Sequence, residues 1–150
     1  MREQFDISQA GDMPRVVVAG AYHGDKTFPS LNNLLASFAR SPQIGGSMKR
    51  KYKNICVNEI RDQLPNYKAQ SPLIIHYRLF EPNRGQRRDV MNCVSMIDKC
   101  FEDALQDCGV IKDDSPRHVL NTTHDVFYTD ENEPWFEVYL EEVRDNDEIC

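Results

Sequence analysis

Apolar and polar positions along the chain follow two different periods, and the changes between them mark out the elements. Arg15 to Ala21 (RVVVAGA) is an apolar run of strand length and predicts a buried strand. Leu34 to Ala39 has a helical pattern. Ser41 to Ser47, with Pro42, Gly45 and Gly46, reads as a flexible break. From Met48 to Leu64 the apolar stripe Tyr52, Ile55, Cys56, Ile60 and Leu64 predicts a second amphipathic helix. Pro72 to Phe80 (PLIIHYRLF) is nearly all apolar from Leu73 to Tyr77, as in a strand central to a sheet. His76 inside that run is expected to be a core histidine with its ring nitrogens satisfied.

The clearest periodicity runs from Val90 to Cys108. At about 100° per residue, Cys93, Val94, Ile97, Phe101, Ala104, Leu105 and Cys108 share one side, which predicts a helix with that side in the core. Asn92, Lys99 and Asp103 share the opposite side. Asp89 precedes the helix as an N-cap would, and Gly109 ends it as a C-cap glycine would. Val110 and Ile111 return to the core, and Asp113-Asp114 follow in a polar turn. Arg117 to Tyr128 and Trp135 to Val143 read as two strands joined as a hairpin by TDENEP, with Trp135 packing in the hairpin. WFEVYLEEV alternates in part, as expected for a strand with one wet face. The fold class expected is α+β (mixed α/β): strand, helix, strand, helix, strand, strand, a mixed sheet with helices packed on it. Residues 1–14 are expected to be a flexible N-terminus, 15–144 a single domain, and 145–150 an acidic tail.

With 150 residues the chain is long enough for one real core. No run approaches the roughly 18 apolar residues of a membrane span, and the first residues have no apolar signal-peptide core. Five cysteines without CxxC spacing, three of them in the central helix, predict reduced and mostly buried thiols in a cytoplasm. The net charge of −6 is unevenly spread. Arg40 to Arg88 holds eleven basic and three acidic residues, a local excess of +8. Asp125 onward holds ten acids against Arg144 alone. The asymmetry predicts a basic face for phosphates and an acidic face turned away from them.

The chemistry concentrates between Arg84 and Asp114, where arginines adjoin carboxylates at both ends of a helix. Arginines beside a carboxylate cluster suit an enzyme that holds a polyanion against a divalent cation. RRDVMN at Arg87 to Asn92, KxxxDAL at Lys99 to Leu105 and GVIKDD ending at Asp114 together resemble the RusA-type Holliday-junction resolvases. Upstream, Pro29-Ser30-Leu31-Asn32-Asn33 resembles that family's Pro-Ser-Asn-Asn loop. The resemblance spans about Arg15 to Val143.

That resemblance implies a metal-dependent, structure-specific DNA endonuclease. Such an enzyme acts as a homodimer on four-way junctions in recombination and repair, and its kind is often carried by phages and prophages. It implies Mg²⁺, or Mn²⁺, held by Asp89 and Asp114 with Asp113 beside them, and Lys99 as the active-site lysine. Arg84, Arg87, Arg88 and Asn92 would meet DNA, as would Asn32, Asn33, Lys49, Arg50, Lys51 and Lys53.

Two departures stand out. Met91 occupies the position of the family's second aspartate and cannot ligate a hard cation. Between Asn92 and Lys99 the chain is longer by about four residues, one helical turn, which preserves the face. Asp103 is the preferred substitute for the missing ligand, and Asp98 the weaker one. A DNA-binding protein without catalysis, or an interaction module using the acidic tail, are the alternatives. His23 reads as polar loop surface.

Overall fold

The computed structural model describes residues 4–19, 28–83 and 87–144. The end of the first expected strand, the loop with His23, Arg84, and the acidic tail with Cys150 lie outside the described residues. A 3-10 turn, Ile7–Gln9, leads into β1 (Arg15–Ala19), α1 (Leu31–Arg40) and α2 (Pro42–Gln63). Strand β2 (Leu73–Pro82), α3 (Val90–Asp107), β3 (Val119–Thr129) and β4 (Trp135–Glu142) follow. The fold is α+β: three helices pack on a four-stranded mixed sheet of order β1-β4-β2-β3. No helix among the described residues is long and apolar enough to cross a membrane.

Strand β2 is central, as its apolar run predicts. It pairs in parallel with β3 on one side and antiparallel with β4 on the other. Leu73, Ile75, Tyr77 and Leu79 alternate onto one face and are buried under the helices, where the Tyr77 ring meets Phe101 edge-on. His76 faces the other way. It is buried, with its ring nitrogens 2.6 Å from the Thr123 hydroxyl and 2.7 Å from a Glu141 carboxylate oxygen.

The hairpin expected between the last two strands does not exist. Strands β3 and β4 are antiparallel to each other but flank β2. Their five-residue connection, 130–134, passes over the end of β2, a jump of two strand spacings or about 10 Å. Trp135 therefore packs across to β2, with its ring stacked on Phe80 at 4.6 Å. The wet face expected of β4 is also dry at Glu137. That carboxylate accepts from Arg78, Trp135 and Tyr139 and is 9% exposed.

Strand β1 is an edge strand rather than a buried one: Val16 and Val18 face the core, and Arg15 and Ala19 are exposed. Its outer edge is covered at one point. The Gln63 side-chain amide donates to the Val17 carbonyl at 2.7 Å and accepts from the Val17 N–H at 2.8 Å. An open strand edge invites pairing with another chain, and this contact blunts it.

The break expected at Ser41 to Ser47 is helical. Ser41 separates two helices, capping α1 and accepting from the Ile44 N–H to start α2, with Pro42 in its first turn. Gly45 is buried inside α2 because α1 passes close by: a β-carbon there would overlap the Phe38 ring. The early start of α2 also keeps Lys49 to Lys53 away from its N-terminus, where the helix dipole would oppose their charge. These lysines lie roughly two turns in.

Residues 4–14 are docked, in contrast to the flexible N-terminus expected. Phe5 and Ala10 are buried with Tyr139 on the sheet face opposite the helices. Phe5 stacks on His76 at 4.0 Å, and the Asp125 carboxylate accepts from the Gln4 and Phe5 N–H groups.

Candidate functional site

Helix α3 carries the chemistry, and its stripe sets which side chains reach solvent. Cys93, Val94, Ile97, Phe101, Ala104 and Leu105 are buried as the periodicity requires, and Met96 and Cys100 join them. Cys108 is half-buried. Gly109 has φ +73° and ends the helix, a conformation glycine adopts without steric cost. Cys56, Cys93, Cys100 and Cys108 are free thiols. Burial pushes each one up, Cys100 to about 12, so none is a ready nucleophile near neutral pH.

Asp89 is exposed and caps α3: its carboxylate accepts from the Asn92 N–H at 3.1 Å. The Asn92 side chain is half-buried, and Met91 is 57% exposed. Lys99 is exposed one face along, and Asp103 is half-buried. Beyond the helix, the Asp113 carboxylate accepts from the Ser115 N–H at 2.9 Å. The Ser115 hydroxyl first, and then that N–H, hold it below its ordinary range, and His118 Nε2 lies 4.0 Å away. Asp114 is exposed and hydrogen-bonds no described residue. Asp114 follows the helix and its charge acts on Glu102, which is thirteen residues or about 20 Å along α3 from Asp89, so Asp114 adjoins the second half of the helix rather than Asp89 at its start.

Sequence reasoning weighed Asp98 as a weaker substitute and missed Glu102. The structure joins the two. Asp98 accepts from the buried Tyr77 hydroxyl at 2.6 Å and shares a hydrogen bond with Glu102. Burial, then that bond and the charges of Asp98, Asp114 and Asp103, push the Glu102 carboxyl up to about 9. The pair therefore holds a proton between its two carboxyl groups more tightly than a free glutamate would. The readable signal was their i, i+4 spacing. Tyr77 supplied none, because only the sheet brings it there.

The basic residues divide. The Arg88 guanidinium is engaged inside the protein, against expectation: it bonds Glu81 through Nε and Nη2 and the Phe28 carbonyl through Nη1 at 2.6 Å. Its charge is neutralised by Glu81 and is not on offer to a phosphate. Arg87 is exposed and lies over the Tyr128 ring at 3.8 Å, with one N–H on Asn83. Asn33 belongs to the capping box of α1, exchanging hydrogen bonds with Ser30. Asn32 is exposed.

On α2, Lys49, Arg50 and Lys53 line a cleft of about 310 Å³ with Asp103 and Asp107 of α3. Lys53 Nζ is 2.8 Å from Asp107, so the acids of α3 partly offset this basic flank. The Lys51 ammonium lies 5.3 Å from the centre of the Tyr52 ring.

No protein-family model matches the chain, and no curated protein matches it. Among the described residues, no three of His, Cys, Asp or Glu come together as a metal-holding group. The carboxylates named from the sequence are hard oxygen donors suited to Mg²⁺. Within one chain they do not converge.

Proposed function

We propose that the protein is a metal-dependent, structure-specific DNA endonuclease that acts on branched DNA as a homodimer. One observation carries the reading: an exposed carboxylate, Asp89, caps the start of α3, a second, Asp114, follows the helix and acts on Glu102 in its second half, and the exposed Lys99 lies on the helix between Asp89 and Glu102. Neither carboxylate is committed to an ion pair with a described residue. A two-fold contact between copies sets residue i against j and j against i, so antiparallel packing of two such helices across the axis would bring Asp89 of one copy to Asp114 of the other. A dimer also supplies the two symmetric cuts that a four-way junction needs.

Asp89 of one copy and Asp114 of the other would hold Mg²⁺ or Mn²⁺. Asp113 lies beside them, but its carboxylate is already bonded to Ser115. The ion supplies Lewis acidity to a phosphoryl oxygen and a more acidic water. Lys99 offsets charge on the phosphate, and Arg87, held flat on Tyr128, meets the strand. Met91, exposed where the resembled family has a carboxylate, favours a second reading: a junction-binding protein that does not cut.

The test is a labelled synthetic four-way junction with Mg²⁺ or with EDTA, beside Asp114→Asn. Paired nicks that need metal and vanish in the variant are expected. Tight binding without nicks in any metal would establish the second reading. Neither binding nor nicks would sink both.

A further inference from the structure

A larger cleft, of about 640 Å³, lies where the chain leaves α3, and none of the residues considered so far as DNA contacts lines it. Lys68, Lys112, Arg117 and His118 line it, and no carboxylate does. In a chain of net charge −6 this is a local reversal of sign. Among the described residues, Lys68, Lys112 and Arg117 enter no ion pair within 4 Å, so no carboxylate holds their charged groups in direct contact. His118 lies 4.0 Å from Asp113, and Lys112 acts on the same carboxylate from further off.

The walls are held in place before any ligand arrives. The Ala69 N–H bonds the Val110 carbonyl at 3.0 Å, and the Leu73 N–H bonds the His118 carbonyl at 2.8 Å. Behind the loop, one Glu142 oxygen accepts from the Gln70 and Ser71 N–H groups at 2.6 and 3.0 Å. The other Glu142 oxygen accepts from the Tyr67 hydroxyl at 2.9 Å; the carboxylate keeps its charge behind the loop and offsets part of the three cations, leaving the lining net basic. Fixed walls with unpaired cations cut the ordering cost of binding an anion.

We infer that this cleft holds the phosphodiester backbone of a DNA arm next to the cut site. This rests on the nuclease reading above, because the cleft adjoins Asp113 and Asp114. Ala69 and Pro72 line it beside the cations, a mixture of small apolar and basic groups that suits a sugar–phosphate chain. Contacts of this kind position the strand without reading its sequence.

The experiment compares the wild-type protein, Lys112→Gln/Arg117→Gln and Lys112→Arg/Arg117→Lys. Each binds a four-way junction in EDTA over a range of salt. Loss of two phosphate contacts should weaken binding by roughly 10- to 30-fold near physiological salt and lower the salt slope by about two, with the charge-keeping variant close to wild type. Wild-type binding with no change in the glutamine variant overturns the cleft and leaves the nuclease reading standing. No binding by the wild type overturns both. A third arm follows the His118 imidazole signal by NMR. Movement with junction DNA supports the inference. Saturation by inorganic phosphate with no response to DNA would make the cleft a small-anion site and overturn it.

Discussion

The carboxylate of Asp89 closes the first turn of α3 whether or not it ever meets a metal. The two roles separate by substitution. Asp89→Asn keeps a capping oxygen and should cost a few tenths of a kcal/mol, whereas Asp89→Ala should cost about 1 kcal/mol, near 3 °C in Tm. Both should abolish nicking. Melting curves beside a junction assay read the difference, and equal Tm losses would deny the cap.

Glu102 gives a second residue-scale expectation. Its folded pKa, about 9, stands far above its ordinary 4.5, so the native state binds a proton that the unfolded chain releases between those values. Its contribution is whole below about pH 4.5 and is lost as pH rises toward 9. Glu102→Gln should therefore flatten the fall in Tm between about pH 5.5 and about pH 8.5 and be the more stable protein at the upper end. A variant that tracks wild type across that range would refute the assignment. The cap was legible from Asp89 because capping is local. The state of Glu102 was not, because it depends on burial and on Asp114, which only tertiary structure brings about.

At the scale of elements, the sequence misled most where glycine had a packing reason. Gly45 and Gly46 beside Pro42 look like a break. Yet Pro42 stands at a helix start, and Gly45 lets α2 approach Phe38 of α1. Alanine at 45 gains about 1 kcal/mol in helix propensity, but overlap with the ring costs about 1–3 kcal/mol. Gly45→Ala should therefore destabilise by about 1 kcal/mol. In a Phe38→Ala background the same change should stabilise, and urea titrations of the four proteins complete the cycle. An additive cycle would mean the ring is not the obstacle. The stripe of α3 and the apolar run of β2 were readable because burial repeats along one element. The edge position of β1 was not, because RVVVA has the same composition in either place.

For the whole molecule, the placing of Asp89 and Asp114 at different points along α3 becomes a prediction about mixing. Asp89→Asn and Asp114→Asn are each expected to be inactive. In a composite site, a heterodimer of the two carries one intact pair, so randomised mixtures should regain nicking at about a quarter of the sites. Sites built within one chain would regain nothing. Strand order was the part of the architecture least visible in the sequence: a short polar loop between antiparallel strands looks the same whether it turns a hairpin or steps over a third strand.

The seat of β4 between β1 and β2 has a consequence for the birth of the protein. As the chain leaves the ribosome, β2 and β3 can join once α3 has formed, but β1 waits for a partner encoded more than a hundred residues later. Until Trp135–Glu142 emerges, Val16 and Val18 have no strand beside them, and a nascent chain stalled before that point presents chaperones with an unfinished sheet.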